Sequence, residues 1–213
     1  MPKAGGAFAD LDESALRALA PHGTIRSFQK GAIVINEGDA TDSLYVVLSG
    51  RAKAFVSDEN GKEVVLSTMG AGEYFGEMVL DGGLRSASVM TVGPCRFFVI
   101  PRRDLDALLA KKPEFARDLI QRLIGRIRSL TGKVFDLASK DVYGRFLSFI
   151  EENAIEQGGK RIVPERLTQS DIAARIGGSR EMVSRILRDL NTGGYISIEA
   201  KRIEVHKKLP SNW

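Results

Sequence analysis

The chain has 213 residues, 43% of them hydrophobic and 27% charged, with a formal net charge of +4. This is the composition of an ordinary soluble protein of one large or two small domains, and its mild basic excess is compatible with nucleic acid without requiring it. Apolar runs fall short of the roughly 20 residues that cross a bilayer, and the opening Met-Pro-Lys-Ala-Gly-Gly lacks the apolar stretch of a signal peptide, so the expectation is a cytoplasmic protein with no membrane partner.

Residues 8–20 read as a short helix carrying Leu11, Leu16 and Leu19, capped by Asp10 or Asp12 and ended by Pro21 and Gly23. From residue 24 to residue 100 the texture changes to short β-like runs at 32–35, 43–48, 52–56, 64–68, 87–92 and 96–100, separated by glycine turns. Among the turns, Asn60-Gly61 is a strong hairpin signal. Short runs at such spacing predict an antiparallel barrel or sandwich. The single cysteine, Cys95, lies in the strand-like part and is expected to be a buried thiol. It excludes an internal disulfide and a cysteine-rich iron–sulfur or zinc site.

Residues 72–87 break the strand-and-turn rhythm: Gly-Glu-Tyr-Phe-Gly-Glu-Met-Val-Leu-Asp-Gly-Gly-Leu-Arg-Ser-Ala. A short helical turn is flanked by Glu77 and Arg85. The planar cationic fork of Arg85 suits a phosphate. The Ser86 hydroxyl and neighbouring backbone N–H groups can complete an anion nest, and Glu77 can accept from a sugar hydroxyl. The plain alternative is a Glu77–Arg85 salt bridge in a glycine-rich loop.

Residues 104–109 read as a short helix broken at Lys111-Lys112-Pro113. Residues 115–137 then run without proline, interrupted only by Gly125 and Gly132. Ile120, Leu123, Ile127, Leu130, Val134 and Leu137 are spaced alternately by three and four, the pattern of a heptad seam. At about 1.5 Å per residue such a helix exceeds 30 Å. Its stripe predicts a parallel homodimer, the alternative being that it packs against the β domain.

Residues 139–141 are the candidate hinge. A helix is expected over 142–155, with Val142, Phe146, Ile150 and Ile155 apolar, then a turn at 157–160 and a short strand over 161–164. A helix-turn-helix follows. Thr168 caps its first helix with Asp171 three residues on, Ile172, Ala173 and Ile176 face inward, and Gly177-Gly178 permit a sharp turn. Ser179 caps a second helix with Arg180, Glu181, Ser184, Arg185 and Arg188 on one side and Val183, Ile186, Leu187 and Leu190 on the other. Arginine can donate twice to guanine, and glutamate can accept from cytosine N4. Thr168, Gln169, Ser170, Ser179 and Arg188 are candidate phosphate contacts. A hairpin wing closes the pattern, with Lys201, Lys207 and Lys208 as further candidate phosphate contacts, the alternative being exposed lysines that touch nothing.

Phe75-Gly76-Glu77-Met78 followed by Arg85-Ser86-Ala87 resembles the phosphate-binding cassette of cyclic-nucleotide-binding domains. With the long helix and the helix-turn-helix in this order, the chain resembles the bacterial cyclic-AMP receptor protein and fumarate–nitrate regulator family over nearly its whole length. That resemblance implies an α+β fold: an antiparallel β-roll of jelly-roll type over 1–112, a dimerisation helix over 113–138, a hinge at 139–141, and a winged helix-turn-helix over 142–213. It implies cyclic AMP as effector, with Gly76, Glu77, Met78, Arg85, Ser86, Ala87, Leu130 and Thr131 around it. Arg85, Ser86 and the Ala87 N–H would hold the cyclic phosphate and Glu77 the ribose 2′-hydroxyl.

Two features depart from the family's cyclic-AMP receptors. Leu130-Thr131 stands where they carry Thr-Ser against the purine, and a leucine cannot hydrogen-bond a base. The interval from Glu77 to Arg85 is a residue or two shorter. Arg180, Glu181 and Arg185 match the base-reading residues of the family, which implies double-stranded DNA carrying an inverted repeat of TGTGA-like half-sites, and RNA polymerase as a further partner.

The leading reading is therefore a dimeric transcription regulator under cyclic-nucleotide control. A second keeps DNA binding but makes the chain ligand-independent or responsive to another small molecule. A third, an enzyme acting on cyclic nucleotides, would need clustered His and Asp ligands for metals. The chain has only His22 and His206, far apart in sequence, which also leaves haem without an axial ligand near the expected pocket.

Overall fold

The computed structural model of the chain describes Phe8 and residues 12–211. The chain divides into two compact units, one of residues up to 58 with 65–128, the other of residues 59–64 with 129–213.

The N-terminal unit begins with α1 (Glu13–Leu19), whose cap is Asp12: its Oδ1 accepts from the Ala15 N–H at 2.8 Å. Asp10 and Leu11, the alternative cap and an expected apolar position, lie outside the described residues. Eight strands follow: β1 (Thr24–Phe28), β2 (Ile33–Ile35), β3 (Ser43–Ser49), β4 (Ala52–Ser57), β5 (Glu63–Met69), β6 (Tyr74–Phe75), β7 (Ser88–Thr91) and β8 (Cys95–Pro101). They form two four-stranded sheets in the orders β1-β8-β3-β6 and β2-β7-β4-β5. This is the jelly-roll arrangement expected for the β-roll.

Side-chain alternation along β8 explains where the cores sit. Phe97 points between the sheets, among Ile35, Tyr45, Val47, Met69, Phe75 and Val89. Phe98 points the other way, onto Leu16, Leu105, Leu108, Phe115 and Leu119 of the helical layer. The first sheet is thus covered on both faces, which is why Leu44-Tyr45-Val46-Val47 in β3 is continuously apolar and buried. Two strands were absent from the expected runs. β1 is largely exposed or half-buried and owes its place to full register with β8, from Thr24↔Val99 to Phe28↔Cys95. β6 has two residues, too few to show a period. Cys95 is 3% exposed, with its thiol 3.2 Å from the Arg51 carbonyl oxygen.

α2 (Arg102–Lys111) extends beyond the expected 104–109, and Pro113 is the first residue of α3 (Pro113–Ser139), where its missing N–H costs nothing. Phe115 and Leu119 of α3 are buried in the β-domain core and Leu123 packs partly against it. Leu123 therefore divides from the heptad seam to which its spacing assigned it: the i, i+4, i+8 row faces the protein's own β sheet. Ile120, Ile127, Leu130, Val134 and Leu137 stay exposed, joined by Ile124 and Phe135.

The loop after α1 is pinned to α2. The His22 backbone N–H donates to Asp104 Oδ2 at 2.8 Å, and His22 Nδ1 lies 2.7 Å from Oδ1. Burial pushes the Asp104 carboxyl up, but the hydrogen bonds and charge of His22, with Arg103, outweigh it and hold the group below the usual carboxylate range. A carboxyl so lowered contributes stability above its unfolded value, lost as pH falls through its folded one. Asp104→Asn is therefore expected to destabilise the protein at neutral pH, the deficit shrinking as pH falls below the ordinary carboxylate range, as read from denaturation midpoints across pH.

In the C-terminal unit α4 (Val142–Asn153) stops two residues short of the expected end, because Ile155 enters β9 (Ile155–Gln157) and pairs with Ile162 of β10 (Lys160–Val163). Ile155, expected as an apolar helix position, is instead an exposed strand residue. α5 (Gln169–Ile176), α6 (Arg180–Thr192), β11 (Ile196–Glu199) and β12 (Arg202–Val205) complete the unit, with sheet order β11-β12-β10-β9. Its core gathers Phe146, Ile150, Ile172, Ile176, Val183, Ile186, Leu187 and Leu190 with Ile196 and Ile203 of the wing. The wing turns through Ala200 and Lys201, at φ 48° and 66°, left-handed values that a two-residue hairpin demands. Among the described residues no helix is long and apolar enough to cross a membrane.

Candidate functional site

The first candidate site is built on the turn after β6. Gly76 has φ +86°, and a Cβ there would lie 2.8 Å from Arg85 Nη1 and 3.1 Å from the Ser43 carbonyl oxygen. Only glycine lets the following 3-10 turn (Glu77–Leu80) start here with an arginine folded beneath it. Arg85 is 5% exposed. Its Nη1 donates to the Gly76 carbonyl and its Nη2 to the Ser43 carbonyl, both at 2.9 Å. Its ion pair is with Asp42, at 3.8 Å and with a side chain 88% exposed. A buried guanidinium held by neutral carbonyls and one distant, solvated carboxylate remains poorly neutralised, a setting that favours an anion. Ser86 is exposed next to it, and Met78 and Ala87 are half-buried.

The Glu77–Arg85 salt bridge does not form. Glu77 is buried, and its Oε1 is taken by Nη1 of Arg126 from α3. Its Oε2 and the Tyr74 hydroxyl are the buried side-chain oxygens with no hydrogen-bond partner among the described residues. Burial, the largest influence on Tyr74, pushes its hydroxyl above the usual tyrosine range.

Arg126 was not among the residues singled out by sequence. A signal existed: it lies three and seven residues after Leu123 and Leu119, on the row that faces the β domain, where a cation needs an acidic partner. Leu130 and Thr131 are exposed on the part of α3 that belongs to the other unit. Among the described residues no group of three or more His, Cys, Asp and Glu side chains is placed to hold a metal.

The second candidate site is the helix-turn-helix. Thr168 and Asp171 make a reciprocal capping box: the Asp171 N–H donates to Thr168 Oγ1 at 3.1 Å, and the Thr168 N–H to Asp171 Oδ2 at 2.8 Å. Gly177 takes the left-handed conformation, φ 65°, and Ser179 Oγ accepts from the Met182 N–H at 3.2 Å. Each cap is worth about 1 kcal/mol, and together they set where α6 begins. Arg180, Glu181, Arg185 and Arg188 are exposed and Ser184 is half-buried, opposite the buried Val183, Ile186, Leu187 and Leu190.

Gln169 is half-buried and Ser170 exposed in the first turn of α5. Arg188 is paired in part with Asp189 at 3.3 Å. The Lys201 carbonyl accepts from the Leu167 N–H at 3.0 Å, which ties the wing tip to the entry of α5. Lys207 lies 4.2 Å over the Tyr195 ring, a cation–π contact that occupies one of the three lysines considered for phosphate.

Two family models match the chain: the cyclic nucleotide-binding domain over residues 25–112 and the Crp-like helix-turn-helix domain over residues 144–208. The chain is 32% identical over 203 residues to the CRP-like cAMP-activated global transcriptional regulator of Mycobacterium tuberculosis, covering 93% of this chain and 91% of that one. It is 31% identical to the cAMP-activated global transcriptional regulator CRP of Pasteurella multocida, covering 87% and 91%. Among solved structures, the c-di-GMP responsive global regulator CLP of Xanthomonas campestris superposes with a TM-score of 0.79 at 26% identity, covering 91% of this chain and 98% of that one.

Proposed function

The chain belongs to the cyclic-AMP receptor protein and fumarate–nitrate regulator family, and from that premise, a DNA-binding transcription regulator with a cyclic-nucleotide-binding domain, we propose a homodimer whose operator affinity is set by cyclic AMP. The observation that carries this is the pairing of the poorly neutralised Arg85 guanidinium with a buried, unpartnered Glu77 Oε2 in one turn. A buried carboxylate oxygen without a donor is costly unless something supplies one. A phosphate carrying an adjacent sugar hydroxyl answers both needs. On this reading Arg85, Ser86 and the Ala87 N–H hold the phosphate, Glu77 accepts from the ribose, Gly76 and Met78 shape the turn, and Leu130 and Thr131 meet the base.

Binding then shifts an existing balance between DNA-competent and incompetent arrangements, acting through α3 and residues 139–141. The exposed row from Ile120 to Leu137 supports pairing with an identical helix. Two copies would set their recognition helices about 34 Å apart on an inverted repeat of TGTGA-like half-sites, where RNA polymerase would be the partner that reads the outcome. Arg180 and Arg185 suit guanine, and Glu181 suits cytosine. Glu181→Ala is expected to lose about 1–3 kcal/mol of discrimination at one position of each half-site, measured as operator affinities against a panel of single-base variants. An equal loss on every sequence would place the reading face elsewhere.

The direct test is operator binding with and without nucleotide, alongside calorimetric titration with cyclic AMP, cyclic GMP and a cyclic dinucleotide. The expected result is saturable binding of cyclic AMP and tighter operator binding in its presence. Equal operator affinity in both conditions would remove cyclic-AMP control. A second reading, another effector, is favoured by Leu130 at the expected base position and by the c-di-GMP responsiveness stated for the relative of Xanthomonas campestris. The cyclic dinucleotide titration decides between the two.

A further inference from the structure

The corner between α3 and α4 is tied to the helix-turn-helix by one side chain. Arg145, in α4, spreads its guanidinium over three backbone carbonyls. Nη1 donates to Lys140 at 2.7 Å, Nε to Ile176 at 2.6 Å and Nη2 to Gly177 at 3.2 Å. The first acceptor lies inside residues 139–141. The other two are the last residue of α5 and its left-handed cap.

A helix C-terminus presents unmet carbonyls and partial negative charge, and arginine alone carries N–H groups in a fixed fork able to meet several at once. Packing closes the same corner. A Cβ on Gly177 would lie 3.0 Å from Leu137 Cδ2, and one on Gly178 would lie 3.0 Å from Val142 Cγ1. Lys140 Nζ crosses it as well, 2.6 Å from Ser148 Oγ and 2.9 Å from Asp136 Oδ1.

We infer that Arg145 is a positioning residue that fastens the end of α3, the start of α4 and the helix-turn-helix turn into one rigid piece. Residues 139–141, taken from sequence as a hinge, are clasped while Arg145 holds Lys140. Rotation of the last turns of α3 then carries α6 with it, and free swivelling at this corner requires the fork to let go. Arg145 is in α4, not on the exposed face of α6, so its effect on DNA passes through the placement of α6. Only this last consequence rests on the function proposed above.

The test uses full-length Arg145→Ala and Arg145→Lys. Hydrogen exchange is followed in peptides covering 136–148 and 172–180, with 183–190 and 196–205 as references in the same unit. Operator and cyclic AMP affinities are measured on the same preparations. Both variants are expected to speed exchange about tenfold in the two corner peptides, the loss of at least one charge-assisted hydrogen bond. The reference peptides should stay as in the parent, operator binding should weaken about tenfold, and cyclic AMP affinity should be unchanged.

Lysine has a point charge without the fork, so restoration of parental exchange and operator binding by Arg145→Lys would overturn the inference. Uniform acceleration through the reference peptides, or no change in the corner peptides, would overturn it too. If the parent itself shows no operator preference or no cyclic AMP binding, the proposed function fails while the exchange pattern still decides the clasp.

Discussion

Replacing Arg85 with leucine is expected to abolish cyclic-nucleotide binding and to destabilise the N-terminal unit by about 1–3 kcal/mol. The two effects have one origin. The guanidinium donates to the Ser43 carbonyl and to the Gly76 carbonyl, which also accepts from the Val79 N–H at 3.2 Å, and stripping a buried acceptor of its donor costs about 1–3 kcal/mol. The same group supplies the positive charge that a phosphate would need. Chemical denaturation measures the loss of stability, and calorimetry well below the midpoint measures the loss of binding. Arg85→Lys separates them: the charge survives but the fork that spans two carbonyls does not, so stability should fall while weak nucleotide binding remains. A folded Arg85→Leu protein that binds nucleotide like the parent would remove the cassette from the ligand site altogether.

Glutamate at both Ile127 and Val134 is expected to leave the chain monomeric at micromolar concentration and to eliminate operator binding at concentrations where the parent binds. These side chains are 63% and 66% exposed, and burying each against a partner helix is worth about 1.5–3 kcal/mol. In a parallel pair the substituted carboxylates would face one another across the seam, adding repulsion to the lost contact. Because both positions project from the protein, the core stability of each unit should hold within about 0.5 kcal/mol. Sedimentation equilibrium gives the assembly state and a denaturation curve the stability. A double variant that stays dimeric would move the dimer contact off α3.

The C-terminal unit was the more legible half. Thr168, Asp171 and Ser179 act as caps through bonds that span three residues, and the apolar side of α6 follows from its spacing alone. The strands that alternate clearly, and the hairpin at Asn60-Gly61, were legible for the same reason. β6 was not, being two residues whose pairing with β3 depends on a segment about thirty positions away. The heptad row was read correctly as a continuous helix, but periodicity could not say that Leu123 would turn toward the β core while Ile120 and Ile127 stayed outside.

The cassette shows the division most clearly. Its residue types and its glycine-started helical turn are read within one short stretch of chain. The partner of Glu77 is not: Arg126 is 49 residues away, and Arg85 reaches Ser43 across 42. The plain alternative pairs Glu77 with Arg85 because both sit in the same loop. Folding brought a second cation to the carboxylate and left the first bonded to carbonyls. Caps, turns and amphipathic faces depend on contacts within about four residues, so they are written in local order. Which charge meets which inside a core, and whether Arg145 clasps a corner that reads as a hinge, depends on where whole elements pack, and packing is settled by the sum of many distant contacts.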